Sequence, residues 1–217
     1  DVVLNAALSS AGGNITVLSK DAVSLAHATA DITTAGGTVD LQADLGVAMV
    51  DSAVITSGSG ANWGHVRVQA LGGDVTVGEI NAGTANAALL ASGSVLDLAV
   101  DTSAVDVTAA KLLVTAGAAI GASGNHLETA VGTLSAKTTT GSIFLTESDD
   151  LTLDTISLSV SRVAANGATA TAGTATQQDV DSGANLVLVT LNGSITTTLA
   201  TGEITAAQDI LLSAGET

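Results

Sequence analysis

Gly12-Gly13-Asn14-Ile15-Thr16-Val17 and Gly36-Gly37-Thr38-Val39-Asp40-Leu41 stand 24 residues apart and read alike: a glycine pair, one polar residue, then an alternating triplet. The outer members of each triplet are aliphatic and the middle one is polar, the period-two pattern of a strand with one buried side. The unit returns along the chain. Val66-Arg67-Val68 follows Gly64, and Gly72-Gly73 precedes Val75-Thr76-Val77. Later copies are Leu96-Asp97-Leu98, Val105-Asp106-Val107, Ile143-Phe144-Leu145, Leu151-Thr152-Leu153 and Ile210-Leu211-Leu212. Outer members are expected inside, and their Thr, Asp, Ser or Arg neighbours in water. Helical spacing is not sustained; even Ala99 to Ala119, rich in Val and Thr and broken by Gly117, reads as strands.

Repeats of this length, each with two or three short strands, match one circuit of a coil whose strands stack on their equivalents. The pattern predicts circuits near 14–37, 38–64, 65–88, 89–110, 111–140, 141–184 and 185–208. No short segment of this kind buries its apolar side alone, so neighbouring circuits must cover it. The expected fold is an all-β, right-handed parallel β-helix (a solenoid) of about eight to nine coils. A left-handed β-helix lacks its hexapeptide period here, and a calcium roll lacks its Gly-Gly-x-Gly-x-Asp pattern. A β-sandwich also has many short strands, but the return of Gly-Gly plus triplet favours stacked equivalents. Residues 164–183 (AANGATATAGTATQQDVDSG) depart from the pattern and are expected to form a surface loop excursion, with a shorter break at Gly121 to Glu128.

Composition supports a slender core. The chain is 46% hydrophobic but 1% aromatic, so Val, Leu, Ile and Ala must fill the interior. It has 24 Gly, no Pro and no Cys, excluding collagen-like, disulfide-framed and thiol-based readings. A formal net charge of −16 disfavours nucleic acid and anionic membranes, and helps an edge-rich β structure stay soluble. No apolar run is long enough to cross a bilayer as a helix, and no signal peptide opens the chain. The 217 residues are expected to be one β-helix segment of a larger protein.

The strings Gly13-Asn14-Ile15-Thr16-Val17, Ile32-Thr33-Thr34-Ala35-Gly36-Gly37-Thr38-Val39-Asp40-Leu41-Gln42-Ala43 and Gly141-Ser142-Ile143-Phe144-Leu145-Thr146-Glu147 resemble the degenerate repeats of filamentous-haemagglutinin-like large exoproteins. The resemblance covers most of the chain outside 164–183. It implies a secreted or cell-surface adhesin shaft that meets host or neighbouring cells, matrix components or other copies of itself, including end to end. The family's secretion domain carries Asn-Pro motifs, and this chain has no Pro, so the segment would be shaft. The alternatives are a surface-layer or fibre subunit, and a β-helix carbohydrate binder or polysaccharide-degrading enzyme.

The residues argue for no enzyme, and no catalytic, cofactor or metal residue is assigned. His27, His65 and His126 are dispersed without ligand spacing. Asp149-Asp150 and Asp179-x-Asp181 are the best carboxylate clusters, read as solvated turn acids, with weak Ca2+ binding the only cofactor reading left open. Lys20, Arg67, Lys111, Lys137 and Arg162 have no evident common site, and Trp63 stands alone in a turn-like Gly60-Ala61-Asn62-Trp63-Gly64. Thr138-Thr139-Thr140 and Thr196-Thr197-Thr198 lack the equal register on every coil that a flat hydroxyl face needs.

Overall fold

A computed structural model describes residues 1–98 and 104–215. Residues 99–103, the start of the Ala99–Ala119 stretch, lie outside them; Val107–Ala116 within it is a strand, as its Val and Thr content predicts. The described chain is all β with no helix, wound into a parallel β-solenoid of about nine turns.

Each turn contributes to three sheets. The first stacks Ile15–Ser19, Val39–Ala43, Val66–Ala70, Asn86–Ala91, and then the later halves of Val107–Ala116 and Leu127–Thr138. The second runs Val2–Leu4, Val23–Leu25, Val47–Met49, Val75–Val77 and Val95–Asp97. It continues through bridges at Ile120 to Ile143–Glu147, Leu186–Thr190 and Ile210–Ala214. The third stacks Leu8–Ser10, Ile32–Thr34, Val54–Thr56 and Glu79–Asn81. Registers place like on like: Ile15 pairs with Val39, and Val39 with Val66. Columns such as Val17, Leu41, Val68, Leu89 and Val114 thus form one continuous apolar interior. Fully burying one such side chain stabilises by about 1.5–3 kcal/mol.

Two local devices hold the circuits together. The glycine before a first-sheet strand permits close backbone approach: a Cβ on Gly37 would collide with the carbonyl oxygen of Gly13, and one on Gly64 with that of Gly37. The second device is an Asp or Asn immediately before a strand. Asp1, Asn14, Asp31, Asp74, Asp106, Asp150, Asp179 and Asn185 each accept the backbone N–H of the equivalent position one turn on, at 2.6 to 3.1 Å. Much of the acidity is therefore structural, satisfying amides at the corners where strand ladders end. Asp150 and Asp179, read from sequence as solvated turn acids, belong to this set.

Two inward-outward assignments are corrected. In Leu96-Asp97-Leu98 the inward residues are Val95 and Asp97, because Val95 sits in register on Val75; Leu98 is half exposed. Asp106, the middle of Val105-Asp106-Val107, is buried rather than solvated, and the strand begins at Val107.

The excursion is ordered. The chain leaves the coil at Ile156–Val163, turns at 164–168, returns as Thr169–Gln177, and rejoins the first sheet at Val180–Ser182. The two arms pair antiparallel, with an irregularity between Leu158 and Val160 opposite Gly173, whose φ is 58°. This hairpin lies on the outer side of the first sheet as a strap.

Candidate functional site

The strap crosses the coils rather than following them. Its first arm touches the first-sheet strands from Ile15–Ser19 to Leu127–Thr138. Eight extended residues reach roughly 26 Å, and five coil steps cover roughly 24 Å, so the arm runs along the solenoid axis. Beneath it the outward row reads Thr16, Asp40, Arg67, Ala88, Leu113. Ile156, Leu158 and Val160 pack on Ala88 and Leu113, forming a second, smaller core outside the solenoid.

At the other end the contact is ionic. Asp40, fully buried, receives Arg67 Nη2 at 2.7 Å on Oδ1 and Arg162 Nε at 2.7 Å on Oδ2. Gln42 Oε1 accepts from Arg162 at 2.8 Å and from Arg67 at 3.3 Å. Thr38 Oγ1 accepts from Ser161 N–H and donates to Ser161 C=O, both at 3.0 Å, and Thr16 Oγ1 accepts from Val163 N–H at 2.9 Å. Gly173 of the second arm lies over the Arg67 guanidinium, where any Cβ would collide with it. Asp40 and Arg67 were expected in water from their outward positions; the strap buries them, and Arg67 and Arg162 share one carboxylate.

A second cluster was not anticipated from sequence. Asp97, Asp106 and Glu128, all buried, bring carboxylate oxygens within 4.8 Å of one another. Burial, with the neighbouring Asp97 and Glu128 charges, pushes the Asp106 carboxyl up to about 8, against the pull of the Glu128 N–H that it accepts. Asn125 donates to Asp97 at 2.8 Å. A hollow of about 450 Å³ beside the cluster is lined by His126, Glu128, Thr146 and Leu191, with no Lys or Arg among its lining residues. Burial also raises Glu147, which accepts from Thr129, Val131 and Ser148.

The other candidates stay separate. His27 is exposed beside Thr29; His65 accepts from Asn86 N–H, and His126 bonds Thr146 over the Phe144 ring, burial lowering both pKa values. Lys20 meets Asp44, and Lys137 meets Asp181, holding that carboxyl below its ordinary value with help from Thr205. Lys111 lies near Asp154. Asp149 stays in its turn beside Ser148. Trp63 donates to Gly60 C=O at 3.0 Å and packs its ring on Gly83. Thr138 and Thr140 close turns onto Gly141 and Gly117, while Thr196 stacks on Thr152. The third sheet does carry an outward polar row, Ser9, Thr33, Thr56, Asn81 and Thr108, which ends at Ala130.

No protein family, curated protein or solved structure matches this chain.

Proposed function

We propose that this chain is a length of structural shaft from a secreted or cell-surface protein of the filamentous-haemagglutinin-like kind, serving attachment or extracellular filament assembly. The observation that carries this reading is the unbroken aliphatic column through about nine turns, with a strap along its outside. Nearest-neighbour stacking gives a solenoid its stiffness. A tie reaching over several turns adds resistance to peeling, which suits a part that transmits force and is of little use to a catalyst. The repeat strings resembling exoprotein shafts support the same reading, and the acidic surface suits a rod that must stay soluble.

The test is electron microscopy of the native protein combined with attachment counts for cells lacking it. Rods of uniform width and a fall in attachment are expected. Compact particles with undiminished attachment would overturn the proposal. So would turnover of an acidic polysaccharide that is lost on changing Asp106 or Glu128, which would move the reading to carbohydrate chemistry.

A further inference from the structure

We propose that the second arm of the strap, Thr169–Gln177, is a lateral pairing edge for a second copy of this chain. The argument begins with hydrogen-bond direction. Solenoid strands bond to the turns above and below, so their ladders run along the axis and present no open edge sideways. The strap is turned by a right angle: its strands follow the axis, and its ladder points across the surface.

Its two edges differ. The first arm's outer edge is closed by Thr38 and Thr16, which bond the outward groups of Ser161 and Val163. In an antiparallel pair, opposite residues both face in or both face out. Thr171 opposes Ser161 and Thr169 opposes Val163, so the N–H and C=O of both threonines point away from the hairpin. No strand lies beyond the second arm among the described residues. It is the one long lateral edge there with nothing on it.

This edge also lacks the usual protection. Charges and Pro normally guard exposed strands. Thr169–Gln177 (TATAGTATQ) has neither, in a chain whose net charge is −16, and Thr169, Ala170 and Thr171 are exposed. The bulge at Gly173 interrupts the far half and leaves Thr169–Ala172 as the straight run.

A partner strand must lie parallel to the shaft, uncharged, on a body that does not clash along its length. A second shaft, side by side and reversed, meets all three requirements. A two-fold axis at Ala170 sets Thr169 against the partner's Thr171 and Thr171 against the partner's Thr169, exchanging four backbone hydrogen bonds, with the two Ala170 residues face to face. Being neutral, the two edges meet without placing like charges opposite each other. The inference goes beyond the shaft reading, since the pairing is measured on the isolated chain whatever the chain serves.

Sedimentation velocity over a concentration series should show a monomer–dimer equilibrium. Thr171→Pro deletes an outward N–H while leaving the bonds to the first arm, and by symmetry removes two of the four contacts. The dimer should weaken by about tenfold or more. Because the chain has no Cys, Ala170→Cys should yield a disulfide-linked dimer on oxidation, the two Cα atoms lying at roughly 4.5 Å. If Thr171→Pro does not fold by circular dichroism, Thr171→Lys supplies the same reading. A chain that stays monomeric throughout overturns the proposal. So does a dimer indifferent to Thr171 and uncrosslinked through Ala170, which would place the contact elsewhere, such as the exposed Ile210–Leu212.

Discussion

Replacing Arg162 with Met removes one of the two cations on Asp40 and should loosen the strap without unfolding the coil. The structure sets the size. Arg162 makes two charged hydrogen bonds, to Asp40 Oδ2 at 2.7 Å and Gln42 at 2.8 Å, with its side chain 26% exposed. Asp40 keeps Arg67, so no bare charge is left buried. Hydrogen bonds to charged groups contribute about 1.5–3 kcal/mol each, and partial exposure argues for the lower end, a loss of about 2 kcal/mol in all. Arg67→Met differs because its side chain is 5% exposed and Asp40 is fully buried. Removing one partner of a buried pair costs about 3–5 kcal/mol. Asp40→Asn leaves two guanidinium groups around a neutral amide and belongs in the same range.

The decisive comparison is the double variant. If the triad is the clasp, Arg162→Met should cost almost nothing once Asp40 is Asn, a coupling of at least about 1.5 kcal/mol. Urea midpoints supply the stabilities, and hydrogen exchange at the hairpin amides shows whether the strap itself opens. Additivity within about 0.5 kcal/mol would refute the reasoning, because separate residues add and a shared carboxylate does not. Replacing all three by apolar side chains should cost less than the sum of the single changes, since the desolvation of the ions is then also avoided.

Removing the strap, by joining Thr155 to Gln178 through a short flexible linker, should turn a single unfolding transition into a broader or stepped one, visible as a lower urea m-value; an unchanged m-value would deny the strap its coupling role. Gly37→Ala forces a Cβ against the Gly13 carbonyl and should lower stability by about 1–3 kcal/mol, whereas the same change at exposed Gly124, where nothing lies within 4 Å, should be nearly silent in thermal melts. Asp106 holds a proton in the folded chain up to about pH 8 that the unfolded chain, near 3.8, releases. Its contribution is therefore fully present below the unfolded value and lost as pH rises toward 8. Asp106→Asn should flatten that slope and gain on the order of 1–3 kcal/mol at pH 8.5, where melts running parallel to the parent protein's would contradict it.

The coil was legible where two signals coincide. Ile15-Thr16-Val17, Val39-Asp40-Leu41 and Val66-Arg67-Val68 combine period-two alternation with a preceding glycine, and all three stack in one register. Alternation misled at Leu96-Asp97-Leu98 because a carboxylate occupies an inward place; the pattern rule assumes polar residues face water, and a buried acid cluster breaks it. The strap was hidden for another reason. Its second arm has no apolar side of its own, so residues 164–183 read as a loop. The signal lay in its partners: Ile156, Leu158 and Val160 alternate, and Ala88 and Leu113 stand apolar at outward positions of the first sheet. Asp or Asn directly before a strand was equally open to view, but its meaning needs the next turn in place.

The strap and the acids follow from one weakness of solenoids. Each turn holds only its neighbours, so a fault at one corner can propagate, and each corner leaves amides outside the strand ladders. The Asp and Asn residues mend the corners turn by turn. They do so at the expense of negative charge repeated along the axis, which weakens the stack through self-repulsion. A tie that spans many turns offsets that repulsion without adding charge of the same sign. Arg162 brings a cation onto the buried Asp40, and the second arm brings none of either sign. The neutral arm is therefore the stretch of this molecule where another such rod can approach most closely.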